Sequence, residues 1–438
     1  MMEKLLKLAK KVADQVEIYS ITYQTDSVSF ENSRLKAIDS KIQDGIALRI
    51  VKDGKLGFAY TRNLLSREEL IENALASIKG GVAAQYQFPL TKKITKLNSF
   101  DTAIKKVTNE QMVEECRRIC EILGTNTKAE IHTSLEKAVQ KIRLINSSGT
   151  DLTTQFSEFS GYAGILYPGS HAAIFRILYS KKFEQFPDHW LNLMVALYSQ
   201  SLKEAKPKTG RMKVLFMPET LYALIWRLKE ATNSKNIYEQ VSPIKDKLNQ
   251  KILSEKLTVV DEPLNDNLPN ARAFDDEGMP CQNLTIIEAG VFKNFYTDLN
   301  YATKLKVEPT GNGYKANISS KITPMLNHLT IRPGQKSFEE LIKMIDKGII
   351  ACGIMGAHSG NILNGDFSVG LAPGIYVENG EIVGQVKDAM VAGNIYEVMN
   401  NVVEIEDTLY PSFTGMASTL GSLPAILFAD VSVAMKNS

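Results

Sequence analysis

The chain has 438 residues, with 51 Lys+Arg against 49 Asp+Glu, a formal net charge of +2 and 44% hydrophobic residues. That balance lacks the basic footprint of a dedicated nucleic-acid binder and the acidic bias of a disordered tail. At roughly 100–200 residues per domain the length suggests two or three domains, and only five His are available for any histidine-built metal centre.

In chain order, the first segment is MMEKLLKLAKKVADQ, where Leu5, Leu6 and Leu8 stand among Lys4, Lys7, Lys10 and Lys11. It lacks the unbroken apolar run of about 7–15 residues that a signal peptide needs. No run in the chain approaches the ~18 apolar residues of a membrane span. The expectation is an amphipathic surface helix over about 2–14 in a cytoplasmic protein without membrane contact. VEIYSITYQTDSVSF then alternates polar and apolar residues as a half-buried strand does. In ALRIVKDGKLGFAYT, Asp53-Gly54 separates two strand-like runs, a hairpin signal because the turn needs positive φ. Ser66 with Glu69 reads as a capping box opening a helix over 67–79, and Thr108 with Gln111 repeats the device before a helix over 109–123. Strand-like sequence from Ala129 follows, with a turn at 146–149. The starts Glu17-Ile18-Tyr19-Ser20 and Glu130-Ile131-His132-Thr133 share a pattern, which suggests a duplicated α-β-β-β unit.

Composition breaks at LKEAKPKTGRM, an exposed linker by its Pro207 and Gly210 among lysines. It separates an N-terminal α+β domain over 1–205 from a C-terminal β-rich domain over 206–438. There a strand over 211–217 runs into a helix begun by Pro218, where a missing N–H costs little. Hairpins are expected at Ala289-Gly290 and Asn379-Gly380. Between them a capping box of Ser337 and Glu340 starts a helix ending near Gly348, and LPAILFADVSVAMK reads as a last strand. The fold class is α+β: N-terminal helices with β-meanders, and a C-terminal half built mostly of β-hairpins.

Chemistry is sparsely signalled. His132, His171, His189, His328 and His358 have no close spacing, and no H-E-x-x-H pair occurs. Cys116 and Cys120 lie four apart in a helical stretch and read as core packing. There is no G-x-S-x-G elbow, and three S-x-x-K tetrads are near the number chance supplies. The acidic run Asp275-Asp276-Glu277 could bind a cation, but a solvated turn is the expectation. CGIMGAHSGNILNGDFSVGLAPG is rich in Gly and holds His358, Asn361, Asp366 and Ser368. It reads either as a loop lining a cleft or contacting a partner, or as a β-rich connection with tight turns.

That stretch continues as NILNGDFSVGLAPGIYVENGEIVGQVKDAMVAGNIYEVM and, with ARAFDDEGMPCQNLTIIEAGVFKNFYTDLNYATKL and ENSRLKAIDSKIQDGIALRIVKDGKLGFAYT, resembles the TldD/PmbA family. The family is named for modulation of DNA gyrase and described as a metallopeptidase system. The resemblance is nearest to its PmbA (TldE) branch. It implies a position where the TldD-type subunit carries H-E-x-x-x-H, with two His as metal ligands and Glu as base. Here that position reads Pro218-Glu219-Thr220-Leu221-Tyr222-Ala223. Glu219 keeps the base position and Pro218 and Ala223 replace both ligands. The TldD-type's C-terminal Cys has no counterpart after Cys352. The resemblance thus implies a chain with no metal or other cofactor of its own. It would be the non-catalytic subunit of a heteromeric zinc peptidase acting on small or unfolded peptides. Zinc would sit in a TldD-like partner, and the chain alone would be inactive and able to form a homo-oligomer. The alternatives are an independent hydrolase with a nonlocal site at His358 and Asp366, and a regulatory protein acting on gyrase. The balanced charge disfavours direct DNA contact.

Overall fold

Helix α1 (Met2–Ala9) buries Met2, Leu5 and Ala9, a stripe at helical spacing. It stops short of the expected 2–14 span because Val12 finds no core and stands 38% exposed, while the backbone tightens through Lys11 N–H to Leu8 O and Val12 N–H to Ala9 O. The computed structural model describes all residues except Leu64, Asn126, 415–419, 436–438 and the side chain of Leu420.

Three strands follow, β1 (Gln15–Glu31), β2 (Arg34–Lys52) and β3 (Lys55–Thr61), then α2 (Arg67–Ser77). Helix α2 runs on as a short 3-10 turn over Ile78–Gly80. Ser66 accepts from the Glu69 N–H, but Glu69 does not return the bond, so the expected box is half formed. The order then repeats: α3 (Asn109–Gly124), with its full Thr108–Gln111 box, then β4 (Glu130–Asn146), β5 (Asp151–Leu166), β6 (Ala173–Ser180) and α4 (Asp188–Gln200). Among the described residues these strands form one antiparallel six-stranded sheet in the order β3-β2-β1-β4-β5-β6. The order reads alike from both edges, with β1 and β4 paired at its centre from Glu17↔Asn146 to Glu31↔His132. The duplication hinted at by sequence is thus visible as topology.

Period-2 alternation sets what each face does. On β1, Val16 and Ile18 join α1 and α2 in one apolar cluster. Val28 and Phe30 join Met112, Cys116, Ile119 and Cys120 of α3, so the two cysteines do pack in the core. Tyr19 and Ile21 face the other way, toward Phe274 of the second half. Glu17 shares their parity and pairs in register with Arg49, so two charges enter the seam between halves.

The second half begins with β7 (Gly210–Phe216), the central strand of a nine-stranded mixed sheet among the described residues. Strand Lys347–Ala351 lies parallel on one side and Ile426–Met435 antiparallel on the other. A second sheet contains Val259–Asp261, Leu284–Glu288 and Leu329–Ile331. Helix α5 (Pro218–Thr232) leaves β7 directly, with Pro218 at its first turn as expected. One apolar cluster joins its Leu221, Leu224 and Leu228 to Phe216 and Phe428 of the first of these sheets and Val259 and Ile287 of the second. Short helices α6 (Ser234–Tyr238) and α7 (Leu299–Leu305) follow. The helix begun by the Ser337–Glu340 box ends at Lys343, because a strand must start at Lys347. All three expected hairpins turn through positive φ: Asp53 and Gly54, Ala289 and Gly290, Asn379 and Gly380. Among the described residues no helix is long and apolar enough to cross a membrane.

Candidate functional site

Helix α5 carries Pro218, Glu219 and Ala223, all buried. Glu219 is in the first turn, where the helix dipole favours a carboxylate. Its two oxygens each accept from Arg176 Nη1 at 2.6 Å. Arg176 lies on β6, so the pair ties the first half of the chain to α5. The side chains are 1% and 0% exposed. Burial works against the Arg176 charge, but the adjoining Glu219 carboxylate outweighs it and holds the guanidinium protonated. Arg176 also stands 4.5 Å over the ring of Tyr410. That phenol donates to Glu406 Oε1 at 2.8 Å, and Glu406 Oε2 accepts the Ala425 N–H at 3.0 Å. The carboxylate of Glu219 is therefore one member of a buried network, in which Arg176 Nε has no hydrogen-bond partner among the described residues.

A zinc ion fits this donor set poorly. Pro218 and Ala223 carry no side-chain lone pair, and both Glu219 oxygens already accept from a guanidinium. A catalytic zinc site uses about three protein ligands.

One turn beyond Ala223, Arg227 links the helix to the glycine-rich segment. Its Nη1 donates to Ala223 O at 2.6 Å and Ala357 O at 3.1 Å, its Nη2 to Ser359 O at 2.7 Å and its Nε to Asp366 O at 2.6 Å. Burial depresses its pKa, with Asp366 acting in the opposite sense. Four backbone carbonyls thus take the place of water around a cation that is 0% exposed. The segment itself folds tightly. At Gly360, φ is +97° and an added Cβ would come within 2.4 Å of Asp366 O, so this turn requires glycine.

His358, Asn361 and Asp366 are exposed and Ser368 is half-buried. Asn361 Oδ1 accepts the Asn364 N–H at 3.1 Å, and Asp366 Oδ1 accepts Asn394 Nδ2 at 2.9 Å. The Ser368 N–H donates to Ser359 O. Asn361 and Asp366 are joined by the Asp366 N–H to Asn361 O bond of 2.9 Å. Among the described residues no hydrogen bond connects His358 to Asp366.

The acidic run overturns its expected reading as a solvated turn. Asp275, Asp276 and Glu277 are 0%, 3% and 1% exposed. Asp275 accepts the N–H groups of Glu277, Met279 and Gly313, and Asp276 accepts Arg272 Nη2 at 2.7 Å and the Lys315 N–H at 2.9 Å. Glu277 accepts Arg49 Nη1 at 3.0 Å and the Leu299 N–H at 2.7 Å. Arg49 Nε reaches Glu17 at 2.8 Å. The seam charges of β1 and β2 thus continue into the second half. Burial, then their mutual repulsion, pushes Asp275 upward; burial also raises Glu277, against the pull of Arg49.

Sequence reasoning missed Arg176, Arg227 and Arg49. One signal was present: Arg176 interrupts the apolar run AIFRILYS, and a charge there needs a buried partner.

Residues 209–435 match the PmbA/TldA metallopeptidase C-terminal domain, and residues 16–78 match the PmbA/TldA metallopeptidase domain 1. The crystal structure of TldE from Thermococcus kodakarensis superimposes with a TM-score of 0.90 at 24% identity, covering 99% of each chain. An uncharacterized protein of Methanocaldococcus jannaschii is 26% identical over 93% of this chain and 95% of its own length. A second protein of that organism, a metalloprotease, is 26% identical over 92% of this chain and 91% of its own. With residues 209–435, more than half its length, matched by that family model, the chain belongs to the PmbA/TldD metallopeptidase family.

Proposed function

We propose that this chain is the metal-free, non-catalytic subunit of a TldD/TldE-like zinc peptidase that acts on small or unfolded peptides. The observation that carries the reading is the state of Glu219. A general base must reach the proton it abstracts, directly or through one water, and Glu219 is instead held by Arg176 inside the core. The flanking Pro218 and Ala223 supply no ligand. The partner in this proposal is a relative that keeps H-E-x-x-x-H and brings the zinc. A cytoplasmic setting belongs to the same proposal; the four cysteines are free and buried, which fits a reducing compartment.

The test is reconstitution. Purified alone, the chain is expected to hold no stoichiometric zinc and cleave no unfolded peptide substrate. Mixed with an H-E-x-x-x-H relative from the same genome, it should co-elute with it, and cleavage should require both. Chelator-sensitive cleavage by the isolated chain, with one bound zinc, would overturn the proposal.

A further inference from the structure

Away from α5, a cavity of about 190 Å³ opens where β2, β3, α6 and α7 meet. Its walls include Leu56, Phe58, Tyr86 and Ile322, and Arg49 lies in its lining. Arg49 is 3% exposed. Its Nε and Nη1 are engaged by Glu17 and Glu277; its Nη2 and the second oxygen of Glu17 are both buried without a hydrogen-bond partner among the described residues.

The mouth has the same sign. Lys235, Lys304 and Lys321 line it, and none of the three is in an ion pair among the described residues. Lys304 Nζ instead stands over the rings of Tyr238 and Tyr301, at 5.3 and 4.7 Å. Two carboxyl groups also line the cavity. Glu277 is matched by Arg49 and by the Leu299 N–H. Asp298 uses one oxygen to cap α7 through the Tyr301 N–H at 2.7 Å. Burial, then Glu277, pushes it up to about 7, so near neutral pH much of it carries a proton that can be donated.

We infer that this cavity binds a small carboxylate with an apolar body, the terminal residue of a peptide or a free acid of that size. An apolar group would lie against Leu56, Phe58 and Tyr86. Its carboxylate would sit at the mouth, among Lys235, Lys304 and Lys321. The volume is below the roughly 300–1,000 Å³ typical of drug-sized ligands, which fits a single residue. The site is separate from Glu219, so this inference and the subunit proposal can fail independently.

The probes are N-acetyl-L-leucine, its neutral amide N-acetyl-L-leucinamide, and a tripeptide ending in a free leucine, titrated by calorimetry into the full chain. The acid is expected to bind saturably and the amide about tenfold or more weakly, the loss expected of one charge-assisted hydrogen bond. The double variant Lys304→Met/Lys321→Met removes two mouth charges; it should weaken the acid about tenfold and leave the amide unchanged, with thermal unfolding confirming the fold. A tripeptide binding as well as the acid assigns the cavity to peptide termini, and a weaker one assigns it to small acids. Absence of saturable binding, equal affinity for acid and amide, or an acid affinity untouched in the double variant would each overturn the inference.

Discussion

At Glu219, two carboxylate oxygens meet one guanidinium nitrogen inside a core that water does not reach. The desolvation cost of both ions has already been met in this fold, so removing one partner strands the other. Breaking a buried pair this way costs about 3–5 kcal/mol. Glu219→Gln and Arg176→Met should each destabilise by about that much in urea unfolding. The double variant Glu219→Met/Arg176→Met should recover much of the loss, because two apolar groups leave no uncompensated charge. A double variant as unstable as the sum of the singles would show that the pair is not the unit argued for. The same geometry bears on chemistry. Pro218→His/Ala223→His would install the H-E-x-x-x-H that the proposed partner carries, yet Arg176 still holds the Glu219 oxygens. That variant is expected to gain no metal-dependent peptidase activity, even if it acquires zinc. Zinc-dependent cleavage by it would mean that Glu219 leaves Arg176 readily.

Among elements, α5 and the glycine-rich segment act as one piece because Arg227 binds both. Hydrogen bonds to a charged group contribute about 1.5–3 kcal/mol each and do not add fully. Arg227→Met should therefore cost about 3 kcal/mol or more, and amide exchange should quicken over residues 357–366 before it does in β7. Unchanged exchange there would sink the idea that this side chain orders the segment. Local devices were legible in sequence: the Thr108 and Ser337 boxes, Pro218 at a helix start and three positive-φ hairpins depend on residues within a few positions. The site's wiring was not. Arg176 lies 43 positions from Glu219 and Arg49 lies 228 from Glu277, so neither residue announces its partner. The acidic run failed for the same reason. Three adjacent carboxylates look solvated until distant N–H groups and arginines are known to surround them. The buried Glu219–Arg176 pair is tertiary, so no local spacing announces it.

For the molecule as a whole, the seam from Glu17 through Arg49 to Glu277 joins the two halves and brings their stability under the control of pH. Asp298 at its margin is pushed up to about 7 by burial and by Glu277, whereas an unfolded Asp titrates near 3.9. Between those values the folded chain holds a proton that the unfolded chain has released, so stability falls as pH rises through that window. His328 opposes it: burial lowers it to about 4, the unfolded chain binds the extra proton, and stability rises with pH between about 4 and 6.5. Asp298→Asn separates the two. Asparagine keeps an oxygen for the Tyr301 N–H and cannot ionise, while His328 is present in both proteins and cancels in the difference. The variant should therefore gain on the natural chain by about 2–3 kcal/mol between pH 5 and pH 8, since each pKa unit is worth 1.36 kcal/mol. Urea unfolding at pH 5, 6, 7 and 8 reads this directly. A stability difference that stays flat across that range would show that Asp298 is ionised throughout, and that Arg49 and the mouth lysines stabilise its charge more than burial opposes it.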